Sequence, residues 1–162
     1  HEETGDIEVQ SSNLKPITAS PDYYVSATDE YPILFIIASL TKGTSVFRGI
    51  EDLANKESNR ILEMQKILKQ VGIKCKSTKS EMKILGQKNI KEKNSIIKIP
   101  SLGDHRICMS AVILSLVTGI KTEIKKSADK QGIDTDFTKD IKKGIDKVKD
   151  NIDDMTGPIK RL

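Results

Sequence analysis

Two stretches of this chain are apolar on nearly every face of the helices they would form, and they constrain its fold more than any other feature. Residues 33–40 read Ile-Leu-Phe-Ile-Ile-Ala-Ser-Leu, and residues 111–117 read Ala-Val-Ile-Leu-Ser-Leu-Val. A helix that is apolar all round has to be covered all round, by a sheet on one side and by other helices on the other. Both runs are well short of the roughly 20 residues a membrane-spanning helix needs. They therefore belong inside a globular domain, and no membrane partner is expected.

The segments around them alternate between strand and helix character. Asp6 to Val9 and Leu14 to Thr18 read as short strands about a polar Ser11-Ser12-Asn13 turn. Thr28 is placed to cap a helix from about Asp29 to Thr41, with Pro32 in its first turn and Gly43 closing it. Thr44 to Arg48 follows as a strand. Glu57 to Val71 then forms a helix whose stripe is Ile61, Leu62, Met64, Ile67, Leu68 and Val71, stopped by Gly72. Ile73 to Ser77 and Met82 to Leu85 suit a strand pair turning at Lys79 and Ser80, and Gln87 to Asn94 is a charged loop. Ile96 to Ile99 is a further strand, and Pro100 to Gly103 a turn. A helix from His105 to about Thr118 ends at Gly119, and Lys121 to Lys125 is the last strand. A narrow stripe of Ile141, Ile145, Val148 and Ile152 marks a surface helix from about Asp136 to Asn151. The order is strand, helix, strand, helix, strand, strand, and then strand, helix, strand, helix. The second pass partly repeats the first, which predicts an α/β domain of repeats around buried helices.

At 162 residues, with 36% hydrophobic and 31% charged residues, the chain has enough material for one globular domain but is polar for one that stands alone. The segment from Glu2 to Asp6 is too acidic for a signal peptide, and His1 in place of Met leaves room for an upstream start. Cys75 and Cys108 make no disulfide scaffold and no zinc-type cluster, which fits a reducing cytoplasm. The net charge is +4, and only four of the 27 basic residues are arginines. The lysines are interspersed with 23 acids, and three tyrosines and three phenylalanines offer little for base stacking, so no nucleic-acid partner is expected. In so lysine-rich a chain an arginine suggests a need for the rigid guanidinium fork that grips carboxylate or phosphate with two bonds.

Three predicted helices open with ionisable clusters: Asp29 and Glu30; Lys56, Glu57 and Arg60; Asp104, His105 and Arg106. Helix N-termini offer free N–H groups and partial positive charge, so three of them converging would make a strong anion site. Asp29, Glu57 and Asp104 are each also explained as first-turn stabilisers. Arg60 and Arg106 are not, because a cation near a helix N-terminus needs an anion to hold it, either a ligand or a structural ion pair. Gly103 permits a tight turn or a close ligand approach. No GxxxxGKS phosphate loop or GxSxG elbow occurs, which disfavours nucleotide hydrolases and serine esterases.

These residues carry a family resemblance. Lys56-Glu57-Ser58-Asn59-Arg60 resembles the KES(D)R motif of 5-enolpyruvylshikimate-3-phosphate synthases, and Gly103-Asp104-His105-Arg106-Ile107-Cys108-Met109 resembles their GDHRIAM motif. Asp6-Ile-Glu-Val with Ser11-Ser12-Asn-Leu-Lys15, and Asp29-Glu30-Tyr31-Pro32, are similar to two further family segments. The similarity covers about residues 2 to 130. It implies part of the second of two domains, each made of three βαβαββ units around buried helices, with ligands in the cleft between the domains. Residues 1–136 would be that domain portion and 137–162 a terminal amphipathic helix and tail. The implied reaction moves the enolpyruvyl group of phosphoenolpyruvate to the 5-hydroxyl of shikimate 3-phosphate, without metal or organic cofactor.

By the same resemblance Asp29 is the proton acceptor at the target hydroxyl and also binds shikimate 3-phosphate, and Glu57 is a proton donor to the methylene carbon. Lys56 contacts shikimate 3-phosphate. Arg60, Arg106 and His105 bind phosphoenolpyruvate, with Lys130 the candidate for a further lysine facing it. Asn59 replaces the usual aspartate, and the loop from Lys130 to Phe137 lacks the family's proline. The family's SKS-R segment and NAG loop have no match, so the implied partner is the missing N-terminal domain and the chain alone is expected not to turn over. The alternative is a catalytically dead remnant serving as a binding domain. A UDP-N-acetylglucosamine enolpyruvyl transferase shares the fold but matches these motifs less well.

Overall fold

A computed structural model describes residues 12–88, 90, 96–99 and 103–124, with isolated positions 5, 8 and 10. All of them belong to one compact unit, His1–Lys126. Lys130, the predicted helix at 136–151, the tail 137–162, most of the segments 6–9 and 87–94, and the turn before Gly103 lie outside the described residues.

The first pass of the sequence pattern folds as strand β1 (Thr18–Ala19), helix α1 (Tyr24–Ala27), helix α2 (Tyr31–Leu40), strand β2 (Gly43–Arg48), helix α3 (Arg60–Gln70), and strands β3 (Lys74–Ser77) and β4 (Glu81–Gly86). The four strands form one sheet in the order β1-β2-β4-β3, with β1 parallel to β2 and the other pairs antiparallel. Side chains alternate across a strand, so Ser45 and Phe47 of β2 and Met82 and Ile84 of β4 share the buried face. Phe47 stands opposite Met82, and Ser45 opposite Ile84. Thr44, Lys83, Leu85, Lys74 and Lys76 face outwards.

Helix α2 is fastened to the buried face by aromatic edges. Phe35 meets Phe47 at a ring-centroid distance of 4.9 Å and 75°, and Tyr31 meets Phe47 at 5.9 Å and 70°. Such edge-to-face pairs each add about 0.5–1.5 kcal/mol beyond area burial. They fix the N-terminal turn of α2, and with it Asp29. At the other end, Gly86 closes β4 against the helix: a Cβ there would run into the carbonyl oxygens of Ala38 and Thr41. Helix α3 buries Ile61, Met64, Ile67 and Leu68, but Leu62 of the predicted stripe is exposed.

The second pass contributes strand β5 (Ile96–Ile99), helix α4 (His105–Thr118) and strand β6 (Lys121–Ile124). β5 and β6 pair in parallel as a separate two-stranded sheet. Gly119, at φ 73° in the left-handed region, terminates α4.

Several predicted boundaries shift, each for a local reason. Only Thr18 of the predicted Leu14–Thr18 strand is in β1, since Pro16 has no N–H for a ladder. The Thr28 hydroxyl donates back to the Tyr24 carbonyl at 2.7 Å instead of capping a helix, so residues 28–30 form a 3-10 turn and α2 begins at Tyr31. Gly43 opens β2 rather than closing α2, which ends on its own Thr41. Glu57 lies outside α3, because the Asn59 side chain accepts from Leu62 N–H and starts the helix at Arg60. The short helical turns at 21–27 and the 3-10 segment Glu51–Asn55 were not visible in the apolar periodicity.

Candidate functional site

The three ionisable helix starts meet at one end of the unit, with the Arg60 guanidinium at the centre. Arg60 is 1% exposed and donates to three carboxylates: Nε to Asp104 at 3.0 Å, Nη1 to Asp29 at 2.9 Å and Nη2 to Glu57 at 2.6 Å. One acid comes from before α2, one from before α3 and one from the start of α4. Charge-assisted bonds of this length are the strong kind, and the fork geometry of arginine lets one side chain serve all three.

Asp104 is fully buried. It caps α4 by accepting from Arg106 N–H at 3.1 Å and Ile107 N–H at 3.4 Å, and it also accepts from the Ser58 hydroxyl at 2.8 Å. Gly103 (φ 65°) supplies the left-handed turn that delivers it. Burial alone would raise the Asp104 carboxyl, but the Arg60 and Ser58 hydrogen bonds outweigh it and hold it below the ordinary value. Burial likewise works against the charge on Arg60, and its bonds to Asp104 and Asp29 overcome that and raise it. Asp29 is half exposed, and its carboxyl is lowered chiefly by the hydrogen bond from Arg60.

Arg106 extends the cluster towards solvent. Its Nη1 donates to Glu30 at 2.7 Å, and its Nη2 lies 3.8 Å from Asp29. Asp29, Glu30 and Arg106 line one end of a groove of about 140 Å³, with Ile33, Met109, Ser110 and Ile113 along the rest. Lys56 stands to one side, 2.9 Å from Asp52, which also accepts from the Tyr24 hydroxyl at 3.1 Å. Lys56 and Tyr24 lower the Asp52 carboxyl, while burial and the bond to Asp52 push the Tyr24 phenol up to about 12.

Asp29, Glu57, Arg60 and Arg106 are thus brought together. Lys56 lies in the same loop as Glu57 but pairs with Asp52. The His105 side chain is exposed at the start of α4 and is not joined to the Arg60 cluster. Glu30, Ser58, Asp52 and Tyr24 were not singled out as site residues. Glu30, beside Asp29, and Ser58, inside the Lys56–Arg60 motif, had a sequence signal; Asp52 and Tyr24 had none. Among the described residues no group of three or more His, Cys, Asp or Glu is arranged to hold a metal ion; the carboxylates converge on an arginine. A larger concavity of about 610 Å³ beside Lys74, Lys76 and Leu85 contains none of the predicted site residues.

The family model for EPSP synthase (3-phosphoshikimate 1-carboxyvinyltransferase) matches residues 1–132. The chain belongs to the EPSP synthase family. A 3-phosphoshikimate 1-carboxyvinyltransferase of Zymomonas mobilis is 35% identical over 119 residues, 72% of this chain and 26% of the relative. One from Citrifermentans bemidjiense is 35% identical over 136 residues, 84% of this chain and 30% of the relative. The solved EPSP synthase of Acinetobacter baumannii superposes with a TM-score of 0.55 at 36% identity, over 68% of this chain and 25% of that one. The chain therefore spans between a quarter and a third of the length of these relatives. In EPSP synthase terms, the two motifs that suggested the family are the segments whose acids and arginines interlock here.

Proposed function

We propose that this chain forms one wall of an enolpyruvyl transferase site that takes phosphoenolpyruvate and shikimate 3-phosphate, the other wall being supplied by the missing N-terminal domain of the enzyme. The observation that carries this is the meeting of Asp29, Glu57, Arg60 and Arg106 at one cluster, from segments that resemble three separate family motifs. In the reaction the 5-hydroxyl oxygen attacks C2 of phosphoenolpyruvate and yields its proton to Asp29. Glu57 protonates the methylene carbon, giving a tetrahedral intermediate. The bond from C2 to the phosphate oxygen then breaks, phosphate leaves, and loss of a proton from the methyl group restores the double bond.

The ionic geometry suggests how the ligand arms these groups. Without it, Asp29 and Glu57 occupy the Arg60 fork, and Asp29 is a weak base because Arg60 stabilises its charged form. An incoming phosphate or carboxylate competes for the same donors on Arg60 and Arg106. As Asp29 gives up its guanidinium bond its basicity rises, so ligand binding and activation of the base are one exchange. Lys56 exchanges Asp52 for the phosphate of the acceptor in the same way. Lys130 and His105 complete the phosphoenolpyruvate contacts in this proposal.

The test is phosphate release from phosphoenolpyruvate and shikimate 3-phosphate by a full-length enzyme that includes this sequence. Asp29→Asn and Arg106→Ala are each expected to lower the rate more than tenfold; rates within twofold of the parent would refute the roles. One feature favours a second reading, that of a catalytically dead remnant: each guanidinium nitrogen of Arg60 already holds a protein carboxylate, as in a structural ion cluster. An inert full-length product that binds neither ligand by calorimetry would decide for the remnant.

A further inference from the structure

The outer face of the four-stranded sheet carries a charge pattern that its own strand pairing penalises. Lys76 of β3 stands directly opposite Lys83 of β4, and Lys74 lies two residues before Lys76 on the same exposed face. Directly opposed side chains leave the sheet about 5 Å apart and those two apart on one strand about 7 Å apart, and like charges set opposite each other destabilise a sheet. Glu81 offsets this only in part, because its carboxylate is shared between Lys83 at 3.2 Å and Arg48 at 3.1 Å. Lysines on an edge strand guard against pairing with another sheet, and β3 is an edge strand. That accounts for Lys74 and Lys76. It does not account for Lys83, which is on an interior strand, or for Lys69 near the end of α3.

All four lysines line one concavity of about 610 Å³, which also holds Thr44 and the half-exposed Leu85 and has no carboxylate in its lining. The volume is that of a small-molecule site, in which an apolar surface is combined with a few convergent polar groups. A local conflict kept in an otherwise consistent sheet is expected where a ligand supplies the compensation. We propose that this concavity binds a small organic phosphate, with the phosphate between Lys74, Lys76 and Lys83 and the apolar body against Leu85. A phosphate monoester carries up to two negative charges and three acceptor oxygens, so one group neutralises several ammoniums, whereas a single carboxylate brings one charge. None of the lining residues belongs to the Arg60 cluster, so the proposal stands independently of the proposed function.

The test is a titration of the isotope-labelled chain with phenyl phosphate, and separately with inorganic phosphate, at constant ionic strength and followed by amide NMR shifts. Shifts are expected at residues 72–76, 83 and 85, with phenyl phosphate the tighter ligand by about threefold or more. Lys76→Gln and Lys83→Gln should each weaken binding by about fivefold or more, and Leu85→Ala should remove the advantage of phenyl phosphate over inorganic phosphate. These positions are exposed, and circular dichroism checks the fold of each variant. Thermal melts give a second readout. At low salt Lys76→Gln should melt no lower than the parent, because the substitution relieves a repulsion, and phenyl phosphate should raise the melt of the parent more than that of the variant. Shifts confined to the groove at Asp29 and Arg106, binding indifferent to both lysine substitutions, or a lowered melt for Lys76→Gln would each overturn the proposal. A thymidine oligonucleotide that binds the same lysines more tightly than phenyl phosphate would mark a polyanion surface and overturn it as well.

Discussion

Arg60 occupies the first turn of α3, where the helix dipole disfavours a cation, and three carboxylates at 2.6–3.0 Å hold it there. Asp104 is the one of the three that is itself buried, so its removal leaves an under-compensated charge in the interior. Asp104→Asn is expected to cost about 3 kcal/mol at neutral pH, the lower end for breaking a buried pair, because Arg60 keeps Asp29 and Glu57. The pH dependence follows from the lowered Asp104 carboxyl. Its stabilisation is fully present above the unfolded value, roughly pH 4, and is lost as pH falls through the lower folded value. Urea titrations should therefore separate parent from variant at pH 7 and bring them together in strong acid; a gap that persists unchanged at pH 2 would contradict this origin. The arginines and acids of the cluster were legible because two short motifs and the segment Asp29-Glu30-Tyr31-Pro32 name them. Their pairings were not: Glu30 meets Arg106 across 76 residues and Ser58 meets Asp104 across 46, separations that no local pattern encodes.

Among the elements, β5 and α4 have the bounds the sequence predicted: Pro100 follows β5, and the Asp104 cap and the left-handed Gly119 bracket α4. Helix starts were less legible, because they depend on which polar side chain wins the first free N–H groups. Asn59 takes that role for α3, which leaves Lys56, Glu57 and Ser58 in a loop able to reach three neighbours. The seat of α2 depends on the absence of a side chain at Gly86. Gly86→Ala should destabilise by about 1–3 kcal/mol through overpacking against Ala38 and Thr41. At about 2–4 °C per kcal/mol for a chain of this size, a thermal melt lowered by several degrees is expected. An unchanged melt would mean that α2 is free to shift.

For the molecule as a whole, the first pass of elements is a complete strand-helix-strand-helix-strand-strand unit, while the second is described through β5, α4 and β6. A site built from the helix starts of these units alone is open on one side. The 162-residue chain by itself is accordingly expected to release no phosphate from phosphoenolpyruvate and shikimate 3-phosphate above the background rate; turnover comparable to that of a full-length synthase would remove the need for a second wall. Apolar periodicity determined on its own the α/β class, and the residues of the short motifs pointed to the family, because each depends on residues close together in sequence. Only the tertiary structure decided that Arg60 is held by Asp29, Glu57 and Asp104, and that, against the all-round cover the apolar runs predict, Ile37 of α2 and Met109, Ile113, Leu116 and Val117 of α4 are exposed. Both facts depend on how helices far apart in the chain pack, and that is a property of the assembled core.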